Sequence, residues 1–367
     1  MLFSGHVGFR KPIKMPKSII KATGSYIPHN RVPNSHFLQS VFFDADGNRN
    51  PRSNQEIIRK LNEITGIEER RCAPAAVDTS EMATRAAEAA LEGVDRETLD
   101  YIIVAHNFGD VDPDSLRCDT VPTIAARVKH HLRIKNPYAV AFDLPFGCPG
   151  WLQGVITADY FIRSGDAKRV LVIGAETLAR IADPHDIDSM IYSDGAGATL
   201  MEATDGEEGV VSHLTRSDTY QHAFLLRMGK SYNPKIGSDS IYIKMDGHDI
   251  YKYAVKTVPL AVKKNLEDTG IGLGEVKKIL IHQANEKMDA AIVKRLFELY
   301  KVEKVPADIM PMIISWTGNS SVATLPTLLD LILRGKLDGH RLNPGDIVVF
   351  ASVGAGMNVN SMIYKMP

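Results

Sequence analysis

The sequence predicts an α/β protein built from two copies of one unit, and three observations carry the prediction. Short apolar runs of the kind that parallel sheets bury on both faces, Tyr101 to Ala105 and Val170 to Ile173, alternate with segments whose apolar residues recur at helical spacing. Two of these runs return downstream at one offset. Ile102-Ile103-Val104 and Ile279-Leu280-Ile281 stand 177 residues apart (279 − 102), as do Val170-Leu171-Val172-Ile173 and Ile347-Val348-Val349-Phe350 (347 − 170). Two strands in one order at one spacing are the mark of a duplicated unit, in the same register. Between the copies lies an acidic turn, Asp205-Gly206-Glu207-Glu208-Gly209, which divides the chain into an N-terminal half, 1–206, and a C-terminal half, 207–367.

Taken in order, Ser18 to Ala22 reads as a buried strand ended by a turn at Gly24-Ser25-Tyr26-Ile27-Pro28. Val41 to Asn54 is a polar insert. Its Asp44-Ala45-Asp46-Gly47-Asn48 run is a loop rather than a calcium site, because the glycine is misplaced and Gln55 stands where a bidentate glutamate is needed. Helices are expected over Gln55 to Ile64, Thr79 to Leu91 and Thr120 to Leu132. Ser193-Asp194-Gly195-Ala196-Gly197-Ala198 reads as a glycine-rich turn made for close backbone packing, since it lacks the third glycine of a dinucleotide fingerprint. In the second half the strand Lys278 to Ile281 runs into His282-Gln283-Ala284-Asn285, followed by helices over Glu286 to Leu299 and Val322 to Leu333.

Composition excludes several classes. Three cysteines, Cys72, Cys118 and Cys148, form no paired spacing, which argues against a disulfide framework or zinc knuckle and suits a reducing cytoplasm. Arg10, Lys11, Lys14 and Lys17 are followed by no apolar core of signal-peptide length, and no run is long enough for a membrane span. A formal net charge of −1 leaves no global footprint for nucleic acid.

The chemistry gathers at Cys148. In AFDLPFGCPGWLQGVITADYFIRSG, residues 141–165, a strand turns sharply at Gly147-Cys148-Pro149-Gly150 into a helix of about Pro149 to Ser164, on which Leu152, Val155, Ile156 and Tyr160 recur at helical spacing. A thiol at a helix N-terminus meets unpaired amides and the positive pole, which favour thiolate. The other reading is a small hydrophobe buried at a turn. His282 at a strand end and Asn319 in Trp316-Thr317-Gly318-Asn319-Ser320-Ser321 likewise have plain readings, a hydrogen-bonded structural histidine and a helix N-cap.

Read together, the motifs resemble the ketoacyl-ACP synthase III group of thiolase-fold condensing enzymes. The landmarks run in order: Gly24 to Pro28, Thr65-Gly66-Ile67-Glu68-Glu69-Arg70-Arg71, the Cys148 elbow, Asp194 to Ala198, Met245-Asp246-Gly247, His282 to Asn285, and Gly318 to Ser321. The resemblance implies a five-layer αβαβα thiolase-like fold, a homodimer, and no cofactor or metal. It implies a Cys148, His282 and Asn319 triad, with the amides of Cys148 and Ala355 as oxyanion donors. It also implies acyl carrier protein as partner, docking on Lys252, Lys287, Lys294 and Arg295, with acyl and malonyl thioesters as substrates. The expected reaction is decarboxylative condensation of an acyl thioester, loaded on Cys148, with malonyl-ACP.

Departures qualify the donor. Initiating members carry arginines that contact coenzyme A where this chain has Ile64 and Ile187, and isoleucine pairs with no phosphate. The Val41 to Asn54 insert and the bulky Phe146 and Pro149 beside the elbow also depart. These changes point to a longer or carrier-borne acyl donor. Two alternatives are a ketosynthase and cyclase joining two β-ketoacyl units, of dialkylresorcinol or aryl-polyene type, and a non-catalytic partner subunit of another synthase.

Overall fold

The structure is a computed structural model that describes residues 15–237 and 240–367. Arg10, Lys11 and Lys14 lie outside the described residues.

Two mixed sheets carry the core. The first is formed by β1 (Lys17–Tyr26), β2 (Tyr101–Ala105), β3 (Val140–Leu144), β4 (Arg169–Thr177) and β5 (Asp194–Thr204), in the spatial order β1-β5-β4-β2-β3. The second is formed by β6 (Gly209–Ser217), β7 (Val276–Ile281), β8 (Ile347–Gly354) and β9 (Asn358–Lys365), in the order β6-β9-β8-β7. In each, one parallel pair (β2 with β4, β7 with β8) is followed toward one edge by two antiparallel pairings. Beyond β7 the Ile279 amide donates to the Ile309 carbonyl at 2.8 Å, so the chain near Ile309 lies where β3 flanks β2.

Among the described residues, seven helices of eight or more residues accompany these sheets: α1 (Asn54–Thr65), α2 (Thr79–Ala90), α3 (Ile124–His131), α4 (Gly150–Ser164), α5 (Gly247–Thr269), α6 (Glu286–Leu299) and α7 (Thr324–Leu333). Because strand side chains alternate between faces, one strand serves two layers. Ile102 and Val104 of β2 face α2 and α3, whereas Ile103 faces the central layer of α4 and α7. On the second sheet Leu280 and Phe350 point into the same central layer, and Ile279, Ile281 and Val349 face α5 and α6. The order helix, sheet, helix, sheet, helix is the five-layer thiolase arrangement.

The repeat differs from the sequence expectation by one residue. Ile102 pairs with Leu171, but Ile279 pairs with Val349, so β4 and β8 correspond at 178 (349 − 171) rather than 177. A one-residue slip exchanges the two faces of a strand. Accordingly Leu171 lies in the outer layer and Val348 in the central one.

Packing overrides two expected turns. β1 continues through Gly24 and Ser25 to Tyr26, and the Ser193 to Ala198 run opens β5. The glycines serve close approach, as expected of the second. A Cβ on Gly24 would stand 2.4 Å from the Ala86 carbonyl oxygen of α2, and one on Gly197 would stand 2.6 Å from Pro326 of α7. Helix α3 begins at Ile124, four residues after the expected Thr120, with the Thr123 side chain as its cap. On α4, Leu152, Val155 and Ile156 are buried but Tyr160 is exposed, and the core face runs instead through Trp151, Ala158 and Ile162.

Candidate active site

Cys148 and His282 stand at the carboxyl ends of parallel strands, one from each sheet, where open α/β sheets form clefts. Cys148 follows β3, in the turn before α4. Gly147 adopts φ +67°, and the Gly150 amide closes the turn on the Gly147 carbonyl at 2.9 Å. A bare glycine is required there: a Cβ on Gly147 would lie 2.9 Å from the Ala355 nitrogen, in the turn that follows β8. Gly354 is held as closely, since its Cβ would meet the Cys148 nitrogen at 2.7 Å. The elbow and the Ala355 turn therefore pack backbone against backbone.

His282 directly follows β7, its amide donating to the Ala351 carbonyl at 3.0 Å. Asn319 is pinned by its backbone, donating to the Ile191 carbonyl and accepting from the Ser193 amide. It is not the N-cap of a long helix. A short 3-10 turn, Ser321–Ala323, precedes α7, and Asn319 Oδ1 accepts from the Ser321 amide at 2.9 Å. Cys148, His282, Asn319 and Ala355 all line one cavity of about 230 Å³. Its remaining wall is largely apolar, including Phe108, Leu178, Met228, Met245, Met288 and Met357. Met228 and Met245 belong to a hairpin, Leu226–Lys230 with Ile241–Met245. That hairpin is held to the 183–188 loop by buried Lys244, whose Nζ lies 2.6 Å from Asp183 and 2.9 Å from Asp186.

Electrostatics correct one expectation. Burial pushes the Cys148 thiol up to about 11, outweighing the hydrogen bond from Ser321, while the carboxylate of Glu176 opposes ionisation further. The resting group is a thiol, not a thiolate. A helix N-terminus contributes only about 0.3–1 kcal/mol at ordinary sites, too little to offset loss of solvent. Burial pushes His282 down to about 4, so its imidazole is neutral at pH 7, and its Nδ1 is buried without a hydrogen-bond partner. Asn319 is neutral by nature. Cys148, His282 and Asn319 thus stand uncharged in the cavity at pH 7.

The expected carrier-docking cations are all exposed, Lys252 on α5 and the other three on α6. Lys252 of α5 lies 3.4 Å from Asp249 and lines a separate surface hollow with Lys256 and Tyr220. Lys287 precedes the cavity residue Met288, whereas Lys294 and Arg295 lie about two turns further along α6, Arg295 paired with Glu298 at 3.0 Å. Ile64 is exposed. Ile187 packs into a small apolar cluster with Phe37, Phe42, Ile57 and Met190, so the insert that supplies Phe42 covers the ground where a guanidinium was expected.

Three groups beside the sulfur were not singled out from sequence: Asn107, Glu176 and Ser321. Asn107 follows the end of β2 and Glu176 lies near the end of β4, so polar residues closing apolar strands were the available signal.

A five-layer thiolase fold, with cysteine, histidine and asparagine around one apolar cavity, defines a condensing acyltransferase. Residues 142–219 match the family described as 3-Oxoacyl-[acyl-carrier-protein (ACP)] synthase III, and residues 266–366 match its C-terminal part. A beta-ketoacyl-[acyl-carrier-protein] synthase III of Cereibacter sphaeroides is 31% identical over 357 residues, 95% of this chain and 99% of that protein. The crystal structure of the synthase III of Aquifex aeolicus superposes with a TM-score of 0.76 at 28% identity, over 95% of this chain and 99% of its own. The priming β-ketosynthase of the R1128 polyketide pathway superposes at 0.79 with 25% identity, over 98% and 99%. The chain belongs to the 3-oxoacyl-ACP synthase III family, and it is an acyltransferase of that type. Among the described residues no helix is long and apolar enough to cross a membrane.

Proposed function

We propose that the chain, built of two thiolase-like halves, 1–206 and 207–367, takes an acyl group from a carrier-borne thioester onto Cys148 and condenses it with malonyl-ACP, acting as a cytoplasmic homodimer. The observation that carries the reading is the shared cavity of Cys148, His282, Asn319 and the Ala355 turn. In the first half-reaction the Cys148 sulfur bonds to the acyl carbon. The tetrahedral oxyanion rests on the Cys148 and Ala355 amides, the bond to the carrier sulfur breaks, and the thiol proton ends on the departing carrier. In the second, the bond between the malonyl α-carbon and its carboxylate breaks and carbon dioxide leaves. Neutral His282 and Asn319 donate hydrogen bonds to the enolate oxygen without a charge or strong acid to quench the carbanion. The α-carbon then attacks acyl-Cys148, a carbon–carbon bond replaces the carbon–sulfur bond, and the sulfur recovers a proton.

The donor is read from the mouth of the site. Ile64 and Ile187 supply no cation for coenzyme A phosphates, and the apolar cavity suits an acyl chain longer than acetyl. Lys252, Lys287, Lys294 and Arg295 supply exposed positive charge for an acidic carrier. Intact-mass spectrometry after incubation with acyl-CoA and acyl-ACP panels tests this. Acyl adducts form on the wild type and not on Cys148→Ala, and carrier-borne donors react faster than acetyl-CoA. The reverse preference would overturn the donor assignment. Release of a ring-closed product from two β-ketoacyl units would replace the linear condensation by the cyclising one.

A further inference from the structure

The sulfur of Cys148 is the end of a chain of oriented hydrogen bonds that begins at a buried carboxyl. Ser321 Oγ donates to Cys148 Sγ at 3.4 Å. Asn107 Nδ2 donates to Ser321 Oγ at 3.2 Å and to Glu176 Oε2 at 2.6 Å, and the Asn107 amide donates to the same carboxylate oxygen at 2.8 Å. The direction follows from valence. Glu176 Oε2 already accepts from the Asn107 backbone amide, and the Asn107 side chain turns its nitrogen toward the same oxygen. The second hydrogen of that nitrogen then occupies the Ser321 oxygen, and the only hydrogen of the hydroxyl is left for the sulfur.

Two further features mark the chain as built for a purpose. Ser321 is buried and holds φ +52°, a left-handed conformation that a non-glycine residue adopts at a cost, and such strain concentrates at functional sites. Its backbone amide donates to Asn319 Oδ1, so one residue orients two members of the site. Glu176 is fully buried with Oε1 unpartnered, an unfavourable placement that packing alone does not require.

We propose that Ser321 is a further catalytic residue, donating its hydroxyl hydrogen to the sulfur as Cys148 gives up its proton, and that Asn107 and Glu176 are positioning residues that set the direction of that bond. The inference rests on the reading of Cys148 as nucleophile. A hydroxyl donor stabilises a sulfur anion more than a thiol or thioester, so the contact strengthens as the attacking charge develops and relaxes once the acyl group is attached.

The test is the rate at which iodoacetamide modifies Cys148 between pH 7 and 10, followed by intact mass, with Cys148→Ala accounting for Cys72 and Cys118. Ser321→Gly removes the hydroxyl and suits the left-handed backbone, so its melting temperature equals or exceeds that of the wild type. Its Cys148 is modified about tenfold more slowly, as a one-unit rise in thiol pKa implies, and acyl loading slows in parallel. Asn107→Ala, which frees the Ser321 hydroxyl to turn away from the sulfur while Glu176 stays in place, shifts the rate in the same direction. Wild-type profiles in either variant, with wild-type protein still acylated by thioesters, overturn the relay alone. Failure of every thioester to acylate the wild type overturns the nucleophile assignment and the relay with it.

Discussion

Replacing Gly147 with alanine separates backbone strain from damage to the site. Gly147 holds φ +67°, and an L-residue in the left-handed region costs about 1–2 kcal/mol. The added Cβ would lie 2.9 Å from the Ala355 nitrogen and 3.2 Å from the Ala355 Cβ and oxygen, closer than carbon and backbone tolerate, so the Ala355 turn must retreat from Cys148. Loss of one oxyanion donor slows catalysis by about 10²–10³. Gly165, at the other end of α4, provides the matched control: φ is +83°, and a Cβ there meets nothing within 4 Å. Gly165→Ala therefore loses about 1–2 kcal/mol by denaturant titration and keeps its acylation rate. Gly147→Ala loses at least as much stability and acylates about 100-fold more slowly by intact mass. Equal acylation rates in the two variants would refute the assignment of the Ala355 turn to the oxyanion.

Two further outcomes follow from buried charge. His282 takes up a proton at about 4 when folded against 6.5 when unfolded, so its contribution is fully present above pH 6.5 and is lost as pH falls through 4, on the order of 3 kcal/mol in all. Glu176 and Asp194, raised by burial to about 7 and about 6, act in the opposite sense, favouring the folded state as pH falls. The difference between wild type and His282→Gln cancels them, and in urea titrations from pH 7.5 to 4 it moves in favour of the variant; a pH-independent difference refutes a neutral buried imidazole. Lys244→Met leaves Asp183 and Asp186 buried beside no cation, costing about 3–5 kcal/mol by urea titration. A loss below about 1 kcal/mol, the range of exposed pairs, refutes the role of Lys244 as the pin of the hairpin.

The elbow at Cys148 was legible because its signals are local: a glycine for a left-handed residue, a proline at the helix start, and apolar residues at helical spacing behind them. The positions of His282 and Asn319 were legible from strand ends and motif order. The length of β1 and the strand that begins at Asp194 were not, because the small residues that suggest turns are there to admit Ala86 and Pro326, partners 62 and 129 residues away along the chain (86 − 24 and 326 − 197). The slip between the repeats escaped for a similar reason: one residue more between β7 and β8 leaves the apolar runs intact and only exchanges their faces.

The sequence by itself determined the α/β alternation and the return of two strands at one spacing, which rest on periodicity, and the resemblance of its motifs to a known family singled out Cys148, His282 and Asn319. Tertiary structure alone decided the charge states and the company those groups keep. Desolvation depends on everything packed around a group, which is why a sulfur at a helix N-terminus remains a thiol. The hydroxyl of Ser321 reaches that sulfur only because strands from one half and a turn from the other close on the same cavity.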